Sequence, residues 1–178
     1  MKHWMVLVVV TVVALSAQNA WSELQIGQVP VTVVLQDKQG GRVDGTSWSS
    51  EEVRGKVSAF FYVDPDVSDL NDAASEAMKA EGFPLDQYQS FAVINMAATW
   101  KPNFAINSRL KKKQEQYPNT IYVRDNEKVL VEAWGISDEN NCLLVFDKQG
   151  QLVFRKDGQL DEAEIKTMIE IIHDNLTK

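Results

Sequence analysis

Gly55-Lys56-Val57-Ser58-Ala59-Phe60-Phe61-Tyr62-Val63-Asp64-Pro65-Asp66-Val67-Ser68-Asp69 is the stretch on which the fold turns. Val57–Val63 is apolar almost throughout and lacks the polar alternation of a half-exposed strand. Such a run needs cover on both faces, which points to a strand inside an α/β sheet. Asp64-Pro65 then reads as a turn, because proline removes a donor and disfavours helix in the residue before it. Over residues 69–81, Leu70, Ala73, Ala74, Ala77 and Met78 recur at helical spacing, and Gly82 is a stop signal.

The same alternation continues on both sides. Upstream, residues 31–35 read as a strand, followed by a polar turn at Gln39-Gly40-Gly41 and a second short extended piece. Downstream, residues 91–95 form a second buried strand. Pro102 suits a helix start, and that helix runs to about Gln116, where Tyr117-Pro118 ends it. Residues 120–123 are a strand, and residues 128–134 a short helix or an extended arm. Apolar residues 143–146 and 152–154 flank Asp147-Lys148-Gln149-Gly150, a hairpin signal. The last helix spans about residues 161–176, with Ile165, Met168, Ile169, Ile172 and Leu176 at core spacing. No repeat or linker interrupts the series. The pattern predicts one domain, residues 23–178, with a mixed central sheet between helical layers, an α/β/α sandwich.

Residues 1–22 read as a signal peptide. Residues 5–17 are apolar apart from Thr11 and Ser16, too short a run for a membrane span of about 20 residues but suited to a secretory core. Ala20-Trp21-Ser22 offers small-x-small for cleavage after Ser22, with Ala17 as a second position. No stable membrane insertion is expected after cleavage.

The chain carries 18 basic and 25 acidic residues, a net charge of −7. Such a surface does not attract a phosphate backbone, the contact that dominates nucleic-acid affinity. Nucleic acid is therefore not an expected partner, nor is anionic lipid. There is one cysteine, Cys142. A thiol–disulfide enzyme needs one thiol to attack and a second to resolve the mixed disulfide. Cys142 opens an apolar strand, so a buried thiol is expected.

Several segments together resemble the thioredoxin-like superfamily: Gly55-Lys56 before the strand, Phe60-Phe61-Tyr62, Ala133-Trp134-Gly135-Ile136, and the hairpin from Leu143 to Gly150. The pattern of Trp134-Gly135-Ile136-Ser137-Asp138-Glu139, the hairpin, Lys156-Asp157-Gly158 and a closing helix is similar to the YtfJ family of small periplasmic proteins. That resemblance implies a thioredoxin-like fold and a periplasmic location, without an established activity. Counting from the aromatic strand end places Asp66 and Asp69 where redox relatives carry Cys-x-x-Cys. Counting back from Asp147 places Asn141 where they carry a cis-proline. A non-proline cis bond costs about 2.5–4 kcal/mol, so Asn141 is expected to be trans.

These departures define the candidate site. Pro65, Asp66, Ser68, Asp69, Asn140, Asn141 and Trp100 form an expected surface for a periplasmic protein or peptide, with no cofactor. The competing reading is an enzyme using the Asp66 and Asp69 carboxylates. Asp64, Asp66, Ser68, Asp69 and Asp72 could give oxygen ligands to a hard cation, but the glycine and glutamate of an EF-hand loop are out of register. The plainer role is helix capping by Asp66 or Ser68. A third reading is signalling through a membrane partner. Arg109 with Lys111-Lys112-Lys113 is expected as a solvated face near a helix C-terminus. His173, in the last turn of the final helix, suits the helix dipole better than catalysis. Trp48, Trp100 and Trp134 are expected to be partly buried with the indole N–H satisfied, the alternative being exposed anchors at an interface, and Trp100 lies in a loop after a core strand.

Overall fold

A computed structural model describes residues 23–178; the signal-peptide reading of residues 1–22 lies outside them. The elements are β1 (Val34–Leu35), β2 (Gly40–Arg42), β3 (Trp48–Ser49), β4 (Val57–Val63), α1 (Asp72–Glu81), β5 (Tyr88–Asn95), α2 (Asn103–Gln116), β6 (Thr120–Asp125), α3 (Val129–Trp134), β7 (Cys142–Phe146), β8 (Leu152–Asp157) and α4 (Glu162–Leu176). The six-stranded sheet has the order β2-β6-β5-β4-β7-β8, and β1 pairs with β3 separately. β4, β5 and β6 run parallel, while β2, β7 and β8 join antiparallel, so the sheet is mixed as expected.

Alternation along the strands divides the core into two faces. Phe60, Tyr62, Phe91, Val93 and Leu144 pack with Leu35, Trp48, Leu130 and Trp134. That layer is α3 plus the N-terminal segment. Val57, Ala59, Leu143 and Val145 face Ala74 and Met78 of α1 and Met168 and Ile172 of α4. On the same face Ile94 and Tyr122 meet Ile106 and Leu110 of α2. Three of the four helices therefore cover one side of the sheet.

Three expected boundaries move. Only Val34–Leu35 of residues 31–35 pairs as strand. The turn expected around Gln39-Gly40-Gly41 falls earlier, as a 3-10 turn at Asp37–Gln39, and the short extended piece expected after it is Gly40–Arg42, an edge strand against β6. Glycine is required at position 40, because a Cβ there would lie 1.9 Å from the Arg124 carbonyl oxygen. The helix expected from residue 69 begins at Asp72, preceded by a 3-10 turn at Pro65–Val67. Leu70 thus precedes α1, Ala73 is exposed, and the buried residues of α1 are Ala74 and Met78.

The ambiguous segment before Trp134 is helical for a visible reason. The buried Asp125 carboxylate accepts from the Val129 and Leu130 amides at 2.9 Å each, which would otherwise be orphan donors of α3. It also accepts from the Tyr62 hydroxyl at 3.1 Å. Asp161 and Glu164 form a reciprocal capping box at the start of α4. Near its other end, His173 lies 2.8 Å from a Glu81 carboxylate oxygen and edge-on to Phe83. It is a tie between α4 and α1 rather than only a helix-end charge.

A candidate ligand cleft beside the strand-end loop

Residues 64–69 leave β4 at the end of the sheet where the superfamily's redox sites would lie. Asp64 is buried, and its carboxylate accepts from the Asp66 amide at 2.8 Å, capping the 3-10 turn. Asn141 is buried too and clamps this turn from the start of β7. Its side-chain oxygen accepts from the Asp64 amide and its side-chain nitrogen donates to the Val67 carbonyl, both at 3.0 Å. No described peptide bond is cis, so Asn141 is trans. Both polar atoms of the Asn141 side chain are thus engaged within the loop. Asn140 is half-buried, and its side-chain oxygen accepts from the Asn141 amide at 2.8 Å. A second buried asparagine, Asn71, joins the start of α1 to Gly158 and Leu160.

The acidic side chains do not cap α1, contrary to the simplest sequence reading. Asp66 accepts from the Thr99 hydroxyl at 2.9 Å and pairs with Lys101 at 2.7 Å. The Lys101 and Thr99 hydrogen bonds lower its pKa below the ordinary 3.8. The pair contributes fully above that ordinary value and is lost as pH falls through the lowered one. Ser68 accepts from Arg109 at 3.0 Å, and Pro65 offers its carbonyl to Lys101 at 3.2 Å. Asp69 lies 3.7 Å from both Arg109 and Lys113, and Lys113 reaches Asp72 at 2.6 Å.

Arg109 and Lys113 are therefore not merely a solvated helix face. They carry α2 toward the acidic loop, while Lys111 and Lys112 remain exposed. The carboxylates of Asp64, Asp66 and Asp69 are directed to different partners: Asp64 to the Asp66 amide, Asp66 to Thr99 and Lys101, and Asp69 to Arg109 and Lys113, so two of the three face cations. This arrangement does not fit a shared divalent cation. Among the described residues, no group of three or more His, Cys, Asp and Glu side chains is placed to hold a metal.

Lys113 is the main electrostatic bridge between α1 and α2. Its side chain is about a quarter exposed (27%), so screening limits its worth. Lys113→Gln is expected to lower stability by about 0.5–1 kcal/mol. Urea unfolding should show the difference shrink at high salt; a loss that ignores salt would point to lost stem packing instead.

Trp48 and Trp134 are fully buried. The Trp134 indole N–H donates to the Val31 carbonyl at 2.9 Å, whereas that of Trp48 has no partner among the described residues. Trp100, expected partly buried, is 88% exposed, with Phe104 beside it 77% exposed. Cys142 is buried, and burial together with the Asp157 carboxylate pushes its thiol well above the ordinary range. Ellman's reagent is expected to react with it only after denaturant unfolds the chain. Rapid reaction of the native protein would contradict this environment.

Sequence reading missed a concavity on the helical face of the sheet. Between α1 and α2 lies a cleft of about 900 Å³. Its floor is Ser90 and Thr120, then Phe61, Ala92 and Tyr122, in register across β4, β5 and β6. Met78 lines it from α1, and Ile106 and Leu110 from α2. Phe61 stays half-buried although β4 is an inner strand. The cause is visible in α2. Only Ile106 and Leu110 are buried over its fourteen residues, and Phe104 points outward.

Small floor residues at Ser90 and Ala92 deepen the gap. Polar bridges span it: Lys113 to Asp72, and Gln116 and Tyr117 to Glu76 at 2.9 and 2.7 Å. The available signal was the poor apolar content of residues 103–116, too small to seal an apolar sheet face.

Fold and site together define a thioredoxin-like protein without a dithiol centre. A family model described as "Bacterial protein of unknown function (YtfJ_HI0045)" matches residues 32–175. The chain belongs to this family. It is 30% identical over 135 residues to an uncharacterized protein of Haemophilus influenzae, covering 74% of this chain and 72% of the relative. It is 26% identical over 129 residues to the uncharacterized protein YtfJ of Escherichia coli, covering 71% and 70%. Among solved structures, it is similar to the thioredoxin domain of a thiol-disulfide oxidoreductase from Bacteroides vulgatus. That match has a TM-score of 0.58 at 16% identity, over 84% of this chain and 98% of the other. This last likeness concerns the fold.

Proposed function

We propose that this chain is an exported, redox-silent binding protein whose ligand site is the cleft between α1 and α2. The cleft carries the reading. Its volume of about 900 Å³ falls within the range of small-molecule sites, roughly 300–1,000 Å³. An apolar floor with a few polar groups at the rim is the usual make-up of such sites. The apolar leader and small-x-small motif of residues 1–22 support export to the periplasm. A single buried thiol supports an accessory role without disulfide exchange. The ion pairs of Asp66 and Asp69 favour a structural part for these carboxylates over catalysis, since each charge is already matched by a cation.

The test is a titration with Nile red, a neutral apolar dye. Saturable one-to-one binding is expected, and it should disappear when Ala92→Phe fills the floor. Ala105→Phe, at a half-buried position of α2, fills the same space from the wall if the first variant does not fold. No saturable binding, or binding that both variants leave intact, would overturn the cleft as the site. Export has its own check: the mature chain should begin at Glu23 in the periplasmic fraction, and a cytoplasmic, unprocessed chain would contradict it.

A further inference from the structure

We propose that the ligand of this cleft is an anionic amphiphile, a linear alkyl chain ending in a carboxylate; this rests on the cleft being the binding site. The apolar part follows from the floor. Phe61, Ala92 and Tyr122 form one row across three strands, and the helices above leave part of it uncovered. Burying such surface is favourable in proportion to the apolar area removed from water. A ligand able to lie between the two helices supplies the cover that α2 lacks. An alkyl chain suits a long gap beside α1, a ten-residue helix and therefore about 15 Å in length.

The charge of the head group follows from the rim. Lys79, Lys101, Arg109, Lys112 and Lys113 line the cleft, opposed there by Asp69 and Asp72. The mouth thus carries an excess of three positive charges in a chain of net charge −7. Asp66 beyond the rim holds Lys101, and Lys113 is held by Asp72. Lys79 and Lys112 form no ion pair among the described residues.

One end of the cleft gathers cations from both walls. The Lys79 ammonium, from α1, lies 5.3 Å from the centre of the Tyr117 ring, and that of Lys113, from α2, lies 5.8 Å from it. The nearby Glu76 carboxylate accepts from the Tyr117 hydroxyl and the Gln116 amide, which keep it anionic, and it offsets part of this positive charge. A carboxylate arriving here meets the Lys79 ammonium, which forms no ion pair among the described residues, beside an apolar channel; Lys113 is already paired with Asp72. An alkylammonium would meet repulsion, and an alcohol would gain no charge-assisted bond.

Displacement of Nile red by decanoate, decanol and decyltrimethylammonium at neutral pH tests the assignment. Decanoate is expected to bind at least about tenfold more tightly than decyltrimethylammonium. The double variant Lys79→Gln, Lys112→Gln should weaken decanoate about threefold or more and leave decanol unchanged. High salt should narrow the gap between the two charged ligands. Equal affinities, or a preference for the ammonium, would overturn the anionic assignment while leaving the cleft as a binding site. Failure of all three to displace bound dye would overturn the alkyl-chain assignment. Undiminished decanoate binding to Ala92→Phe and Ala105→Phe would place its site elsewhere. Failure of Nile red itself to bind sinks the underlying reading, so the two failures are distinct.

Discussion

Phe60→Ala is expected to lower the free energy of unfolding by about 3–5 kcal/mol. The ring is fully buried and packs at the centre of an aromatic cluster. Its centroid lies 5.9 Å from Trp48, 6.1 Å from Phe91, 5.4 Å from Trp134 and 6.1 Å from Phe146. Those four rings come from β3, β5, α3 and β7, so one side chain ties together the N-terminal segment, the sheet and α3, the one α-helix on that face among the described residues. Truncation removes the transfer free energy of the ring and leaves a cavity that four large neighbours on rigid elements cannot close. Urea unfolding followed by tryptophan fluorescence measures the loss, because Trp48 and Trp134 report this cluster directly. A change below about 1 kcal/mol would mean that the cluster repacks around the void.

Asn141→Ala is expected to cost about 2–4 kcal/mol, although it removes few atoms. The substitution leaves the buried Asp64 amide without its acceptor and the part-buried Val67 carbonyl without its donor. Each orphaned buried group carries a penalty of about 1–3 kcal/mol. Asn141→Asp is an instructive companion. It keeps an acceptor for the Asp64 amide, loses the donor to Val67, and sets a second carboxylate near buried Asp64. It should therefore destabilise at least as much at neutral pH and recover in part under acid, where protonation restores a donor. Hydrogen exchange should localise the damage to residues 64–67. Uniform loss of protection would show that Asn141 supports the whole domain. Pro65 and Asn141 also line one end of the cleft, so weakened Nile red binding should accompany the loosened turn.

Much of the fold was legible in particular residues. Val57–Val63 is an inner strand because seven residues without polar alternation can only be covered on both faces. The helix from Pro102 ends at Gln116 as read, since proline suits a first turn and Tyr117-Pro118 stops its continuation. Gln39-Gly40-Gly41 misplaced the turn, which ends at Gln39, by the two glycines that already belong to an edge strand. Glycines signal turns by their freedom at positive φ, but Gly40 is needed for close approach to a neighbouring backbone. The delayed start of α1 was hidden too: Asp64 captures the Asp66 amide and forms a 3-10 turn, so local capping competed with helix from residue 69.

The candidate site divides the same way. One cysteine in the whole chain means that it cannot cycle a dithiol, whatever its shape, because composition bounds covalent chemistry. The order of strands and helices likewise follows from periodicities of two and 3.6 residues, which are local. The partners of the loop are not local. Asn141 reaches the Asp64 amide across 77 positions of sequence, and Lys113 reaches Asp72 across 41. Their meeting depends on strand order and on how closely helices seat. The cleft is further still from any motif: its volume is what remains after side chains of β4, β5, β6, α1 and α2 have packed. Local pattern and composition are enough for an α/β framework that lacks a dithiol. Neutralisation of the acidic loop from α2, and the open ground between the helices, arise only on folding, because both are set by packing between distant segments.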